Sequence, residues 1–111
     1  MSIQETNKID IVATRPDSRV VRLVISDHLD WSDLQAHSLL LQEKVNTYIE
    51  FVESGQLMEM NNPTIPCSPE IVIAVVALHR PPQEARTFLQ NVEDFLTAIG
   101  MRFEVDLSRA A

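Results

Sequence analysis

One cysteine, two glycines, one tryptophan and one tyrosine are all that this 111-residue chain holds of those types. A single thiol, Cys67, allows no intrachain disulfide. Together with the lack of a secretory leader it sets the expectation of a reducing cytoplasm. Gly55 and Gly100 both read as helix stops, which leaves no glycine-rich phosphate loop. No apolar run approaches the roughly 20 residues that span a bilayer. The longest, residues 71–78, has the length of a strand. There is no H-E-x-x-H and no C-x-x-C. Basic residues are also few: 9 Lys and Arg against 16 Asp and Glu, a net charge of −7. Such a surface repels phosphate backbones, so neither nucleic acid nor membrane is expected as a partner. It suits plain solubility, and beyond that a basic protein partner.

What is present reads as a single domain over residues 1–111, with 1–8 and 108–111 frayed. Residues 9–13 alternate as a strand, with Ile9, Ile11 and Ala13 inward. A turn at residues 15–18 leads to a second strand over 20–26, forming a hairpin. Ser32 with Gln35 fits a capping box, with Asp30 as an alternative N-cap. The helix then runs over 34–54, with Leu34, Leu41, Val45, Tyr48, Ile49 and Val52 at core spacing. A long connection follows over 56–69, with a short extended piece at 57–60. Residues 71–78 read as a central strand covered on both faces. Pro81 and Pro82 open a second helix whose inward face is Ala85, Phe88, Leu89, Val92, Phe95, Leu96 and Ile99. Residues 101–107 alternate as the last strand. The order β-β-α-β-α-β with right-handed crossovers gives an α/β fold, an α+β two-layer sandwich. Its four-stranded mixed sheet has order 1-2-3-4, with two helices on one face.

The other sheet face is then uncovered. Period-two geometry assigns to it Asp10, Val12, Val20, Arg22 and Val24, with Arg102, Glu104 and Asp106 at the far edge. An apolar centre with charged edges is the pattern of an interface. Leu39, Leu40 and Phe51 add apolar surface on the first helix. Self-association as a C2 homodimer is the expectation.

The densest chemistry lies at residues 27–31, Asp27-His28-Leu29-Asp30-Trp31, at a strand-to-helix junction. Ligands favour such carboxyl edges in α/β proteins. If strands two and three are neighbours, His79 and Arg80 join Asp27, His28 and Asp30 there. Two imidazoles with carboxylates suit a divalent metal. Alternatively, His28 with Asp27 or Asp30 could act as a base and its orienter. Each residue also has a structural role on offer. Asp30 suits a cap, His28 a carbonyl contact, and Trp31 a staple whose indole N–H finds an acceptor. Asp33 and His37 are spaced as an i,i+4 helix-surface pair at the edge of the core. Cys67 sits between prolines without a nearby basic group and reads as an inert thiol. Met58 and Met60 read as core filling.

The D-H-L-D-W run and the L-Q-E-K-x-N-x-Y run at residues 41–48 resemble a family of small bacterial proteins of uncharacterised function. That resemblance implies no activity, cofactor or site residue. The reading is therefore a non-enzymatic interaction module acting as a homodimer, in a specific version an inhibitor or immunity-type protein. The alternative is a small ligand- or metal-binding protein, or a hydrolase, built on Asp27, His28, Asp30, His79 and Arg80.

Overall fold

Aliphatic and β-branched residues at 20–27 and 70–77 build the two long central strands. Apolar residues at helical spacing build the layer that covers them. A computed structural model of the chain describes Ile3, Thr6 and residues 8–14, 18–60 and 69–107. In order these form β1 (Ile11–Thr14), β2 (Val20–Asp27), α1 (Leu34–Glu53), α2 (Gln56–Glu59), β3 (Glu70–Ala77), a 3-10 turn at Gln83–Ala85, α3 (Arg86–Ala98) and β4 (Arg102–Leu107). The sheet has order β1-β2-β3-β4, as expected. β1 pairs antiparallel with β2, while β2 with β3 and β3 with β4 are parallel.

The core lies between the sheet and the helices. Val21, Leu23 and Ile25 of β2 and Ile71, Ile73 and Val75 of β3 pack against Leu41, Val45, Tyr48 and Ile49 of α1 and Leu96 of α3. Gly55 and Gly100 take left-handed φ values of 86° and 85°, as helix stops require.

Several local expectations fail for physical reasons. Residues 56–59 form a short helix rather than an extended piece, because Leu57 swings into the core at 1% exposure. Of the inward face expected for α3, Leu96 is fully buried, whereas Phe95 and the C-cap residue Ile99 stay exposed. Met58 and Met60 are exposed rather than core filling. The described part of the N-terminal segment is docked rather than frayed. Ile3 is fully buried and donates its N–H to the Ser26 carbonyl at 3.0 Å. The Thr6 carbonyl accepts from Thr47 Oγ1 at 2.5 Å. The turn expected at 15–18, Cys67 and the expected fraying at 108–111 fall wholly or largely outside the described residues.

The phase of β1 is opposite to the one expected. Val12 stands opposite Leu23 and so faces the helices, whereas Ile11 stands opposite Val24 on the open face and is 41% exposed. Asp10 goes inward with Val12. Its side chain is fully buried against Lys44 of α1. A carboxylate that pattern alone sends to solvent is drawn inside by a cation.

The open sheet face is also different from expectation. Val72 and Ala74 at its centre are buried, although they point away from the helices. Arg22 of β2 meets Glu104 at 3.4 Å and Asp106 at 3.2 Å on β4. β3 lies between those strands, so the pairs arch over it across roughly 10 Å, twice the interstrand spacing. Arg102 extends the array to Glu70 at 3.3 Å and Glu104 at 3.7 Å. Each exposed pair is worth little energetically, but the aliphatic stems cover the apolar centre.

Candidate functional site

Asp27 is the last residue of β2, and its backbone carbonyl accepts from the Leu78 N–H at 2.8 Å beyond the end of β3. The alternation of β2 turns its side chain toward the helical layer. There Asp27 Oδ2 meets His37 Nε2 of α1 at 2.5 Å, with both side chains buried. Asp27 Oδ1 accepts the Leu29 N–H at 3.2 Å, closing the bend that follows the strand. His37 Nδ1 donates to the Asp30 carbonyl at 2.8 Å. A carbonyl can only accept, so Nδ1 carries a proton. The other proton of the pair lies between Nε2 and Oδ2. Trp31 stacks on the imidazole with centroids 3.6 Å apart and planes 16° apart. Both ring nitrogens and one ring face of His37 are thereby occupied.

The pairing expected for His37 is therefore corrected. Asp33 is the N-cap of α1, accepting from the Ala36 N–H at 3.1 Å, so it neither pairs with His37 nor leaves the cap to Ser32. Asp30 is not the cap either. Its Oδ1 accepts from the Ser32 N–H at 3.1 Å and hydroxyl at 2.6 Å. The Ser32 hydroxyl and then its backbone N–H hold the Asp30 carboxyl below the ordinary range, helped by the nearby charges of His79 and His37. Trp31 Nε1 is buried and finds no hydrogen-bond partner among the described residues, against the expectation of an acceptor.

The expected carboxyl-edge cluster forms only in part. His79 comes near enough to Asp30 to act on it electrostatically. Both are exposed, as are His28 and Arg80. Asp27 is turned away into the interior against His37, so it is not available as a partner for His28. Among the described residues no three His, Cys, Asp or Glu side chains gather closely enough to hold a metal ion.

A second buried polar cluster has no counterpart in the sequence reading. Lys44 Nζ lies 2.8 Å from Asp10 Oδ1 and donates to the Lys8 carbonyl at 2.7 Å, and it is fully buried. Asp10 Oδ2 accepts the Ser26 N–H at 3.2 Å. Tyr48 Oη donates to the Val24 carbonyl at 2.6 Å and accepts the Asp10 N–H at 2.9 Å. Burial pushes the Tyr48 phenol well above its ordinary value, and the Asp10 carboxylate pushes the same way. The signal was legible: positions 37, 41, 44 and 48 share one helical face. A lysine on that face requires a buried counter-ion.

The helical layer carries the remaining feature. α1 and α3 both contribute to the core on one side of the sheet. A groove of about 320 Å³ separates them, lined by Val45, Phe88, Val92 and Phe95 with the amides of Gln42 and Asn91. Phe95 is 55% exposed there, and Leu39 is exposed on the neighbouring face of α1. Leu40 and Phe51, expected as interface surface, are half-buried and pack on the core. Val20 and Val24 do lie on the open sheet face, half-buried.

The chain belongs to DUF6572, a family of unknown function. The family model matches residues 1–109, which takes in every element described. No match was found among curated proteins or among solved structures. Among the described residues of this DUF6572 member, no helix is long and apolar enough to cross a membrane.

Proposed function

We propose that this DUF6572 member is a non-enzymatic protein-interaction module. The observation that carries the reading is the closure of the Asp27–His37 pair. A general base must reach a substrate proton, and both nitrogens of this imidazole are used inside the protein. The one tightly built Asp/His constellation is therefore a latch between β2 and α1. Leu39 and Phe95 on the helical layer are the most exposed large apolar side chains among the described residues. Inhibition of a basic protein, or immunity to one, is the form that a net charge of −7 suits. A homodimer on the open sheet face has less support, because ion pairs cover Val72 and Ala74 there. Ligand or metal binding at Asp27, His28, Asp30, His79 and Arg80 also has less, since Asp27 is withdrawn from the edge.

A photoreactive side chain placed in turn at Leu39, Phe95 and Arg22 tests the reading in cells. A discrete adduct with another protein from at least one face is expected. No adduct from any face, together with a stoichiometric metal ion in protein purified without chelators, would overturn it.

A further inference from the structure

We infer that the groove between α1 and α3 docks a basic amphipathic helix of another protein, an inference that rests on the interaction-module reading. The groove floor is apolar, and about 320 Å³ holds a few large side chains. A whole helix, about 10–12 Å wide, does not fit into that space. Such a groove suits the apolar stripe of a helix lying across it, read at i, i+3 or i+4 and i+7 spacing. The flanks of that helix then face the outer surfaces of α1 and α3.

Those surfaces carry Glu43, Glu50 and Glu53 on α1 and Asp94 on α3, all exposed. No lysine or arginine of either helix stands against them: Arg86 lies with Glu93 on the β4 side of α3, and Lys44 is buried against Asp10. A second copy of this chain would bring the same carboxylates to the contact and be repelled. A partner with Lys or Arg flanking its apolar stripe is attracted to the rim and seated by the floor.

The test uses the full chain and a fluorescent synthetic helix of leucine and lysine at amphipathic spacing. The control peptide has every lysine replaced by glutamine. Fluorescence anisotropy is expected to show binding of the lysine peptide and not of the control, weakening several-fold from about 0.05 M to about 0.5 M salt. Phe95→Ser leaves the charge unchanged and so separates docking from general attraction. It is expected to weaken binding about ten-fold or more. Asn91→Lys, at the groove rim, is expected to weaken it too, while Arg22→Gln on the sheet face leaves it intact. Thermal unfolding of each variant checks the fold.

Equal binding of the two peptides, or wild-type binding by Phe95→Ser, overturns the inference. So does a wild-type dimer in sedimentation that Phe95→Ser converts to monomer. Cellular adducts without peptide binding overturn the basic-helix partner and leave the module reading standing. Absence of both removes the two together.

Discussion

Replacing Lys44 with Met removes one charge from a pair that is wholly out of water. The ammonium and the Asp10 carboxylate are 2.8 Å apart with both side chains fully buried. At an effective dielectric constant of about 20 their attraction is about 6 kcal/mol before desolvation. Much of that offsets the cost of taking both ions out of water, so the pair itself adds little net stability. Removing one partner is another matter. The Asp10 carboxylate then stays buried without its counter-ion, and the Lys8 carbonyl loses a donor. Breaking a buried pair in this way costs about 3–5 kcal/mol. A chain of this size has about 5–15 kcal/mol in total.

Urea unfolding followed by the fluorescence of Trp31, the only tryptophan, reads the loss. With a slope near 1.5 kcal/mol per molar, the midpoint is expected to fall by about 2–3 M. Asp10→Asn in the Lys44→Met background removes the stranded charge and keeps an oxygen for the Ser26 N–H. The double variant is therefore expected to be more stable than Lys44→Met alone, with a coupling of about 2 kcal/mol or more. If Lys44→Met does not fold, refolding of the double variant carries the same information. A midpoint shift below about 0.5 M for Lys44→Met, or a coupling near zero, would refute the reasoning.

His37→Phe strands the Asp27 carboxylate in the same way, and a loss of about 3–5 kcal/mol is expected, partly recovered by adding Asp27→Asn; a loss below about 1 kcal/mol in urea unfolding would refute the latch. Tyr48→Phe removes bonds to the Val24 carbonyl and the Asp10 N–H and is expected to cost about 1–3 kcal/mol at neutral pH. The raised folded-state phenol makes stability fall as pH climbs above the unfolded value of about 10, at about 1.4 kcal/mol per unit. That alkaline slope is expected to be shallower in Tyr48→Phe; parallel slopes in the two proteins would contradict it. Ser32→Ala removes the strongest hydrogen bond on the exposed Asp30, so an NMR titration is expected to find that carboxyl moved back up toward its ordinary value. The depressed folded-state value contributes stability above the unfolded carboxylate pKa, and this is lost as pH falls through the folded value.

The frame of this fold could be read from the chain because periodicity and length decide it. Residues 71–78 could only be a central strand, and 34–54 only a long helix. Parallel β2 and β3 then put His79 beside Asp30 at one edge, as the structure has it. What periodicity could not decide was the fate of polar residues on apolar faces. Asp10 and Asp27 are carboxylates at the edges of strands, and pattern assigns such groups to water or to a ligand. Each is instead taken inward by a basic side chain of α1, Lys44 and His37, seven positions apart on one face. Helical spacing marks Lys44 and His37 as inward, but their partners are 34 and 10 residues away in sequence, so no local pattern says which carboxylate each one meets. The same limit hid the roof over Val72 and Ala74, since it joins Arg22 to Asp106 across 84 positions.

The buried lysine also bears on the surface. An exposed lysine at position 44 would offset one of the four carboxylates, Glu43, Glu50, Glu53 and Asp94, on the outer faces of α1 and α3. Taken inside and matched to Asp10, it leaves the net charge of the chain unaltered but removes a positive centre from the helical layer. The sheet face shows the opposite arrangement, where Arg22 and Arg102 stand among Glu70, Glu104 and Asp106 in mutual pairs. On one face two cations offset most of three carboxylates, and the other is left anionic around an open apolar groove. Long-range attraction of a cationic partner depends on that imbalance, and like-charge repulsion opposes self-association through the same face. The Lys44–Asp10 pair therefore joins the two halves of the physical account. It ties α1 to the sheet, and it sets the sign of the surface that α1 shares with α3.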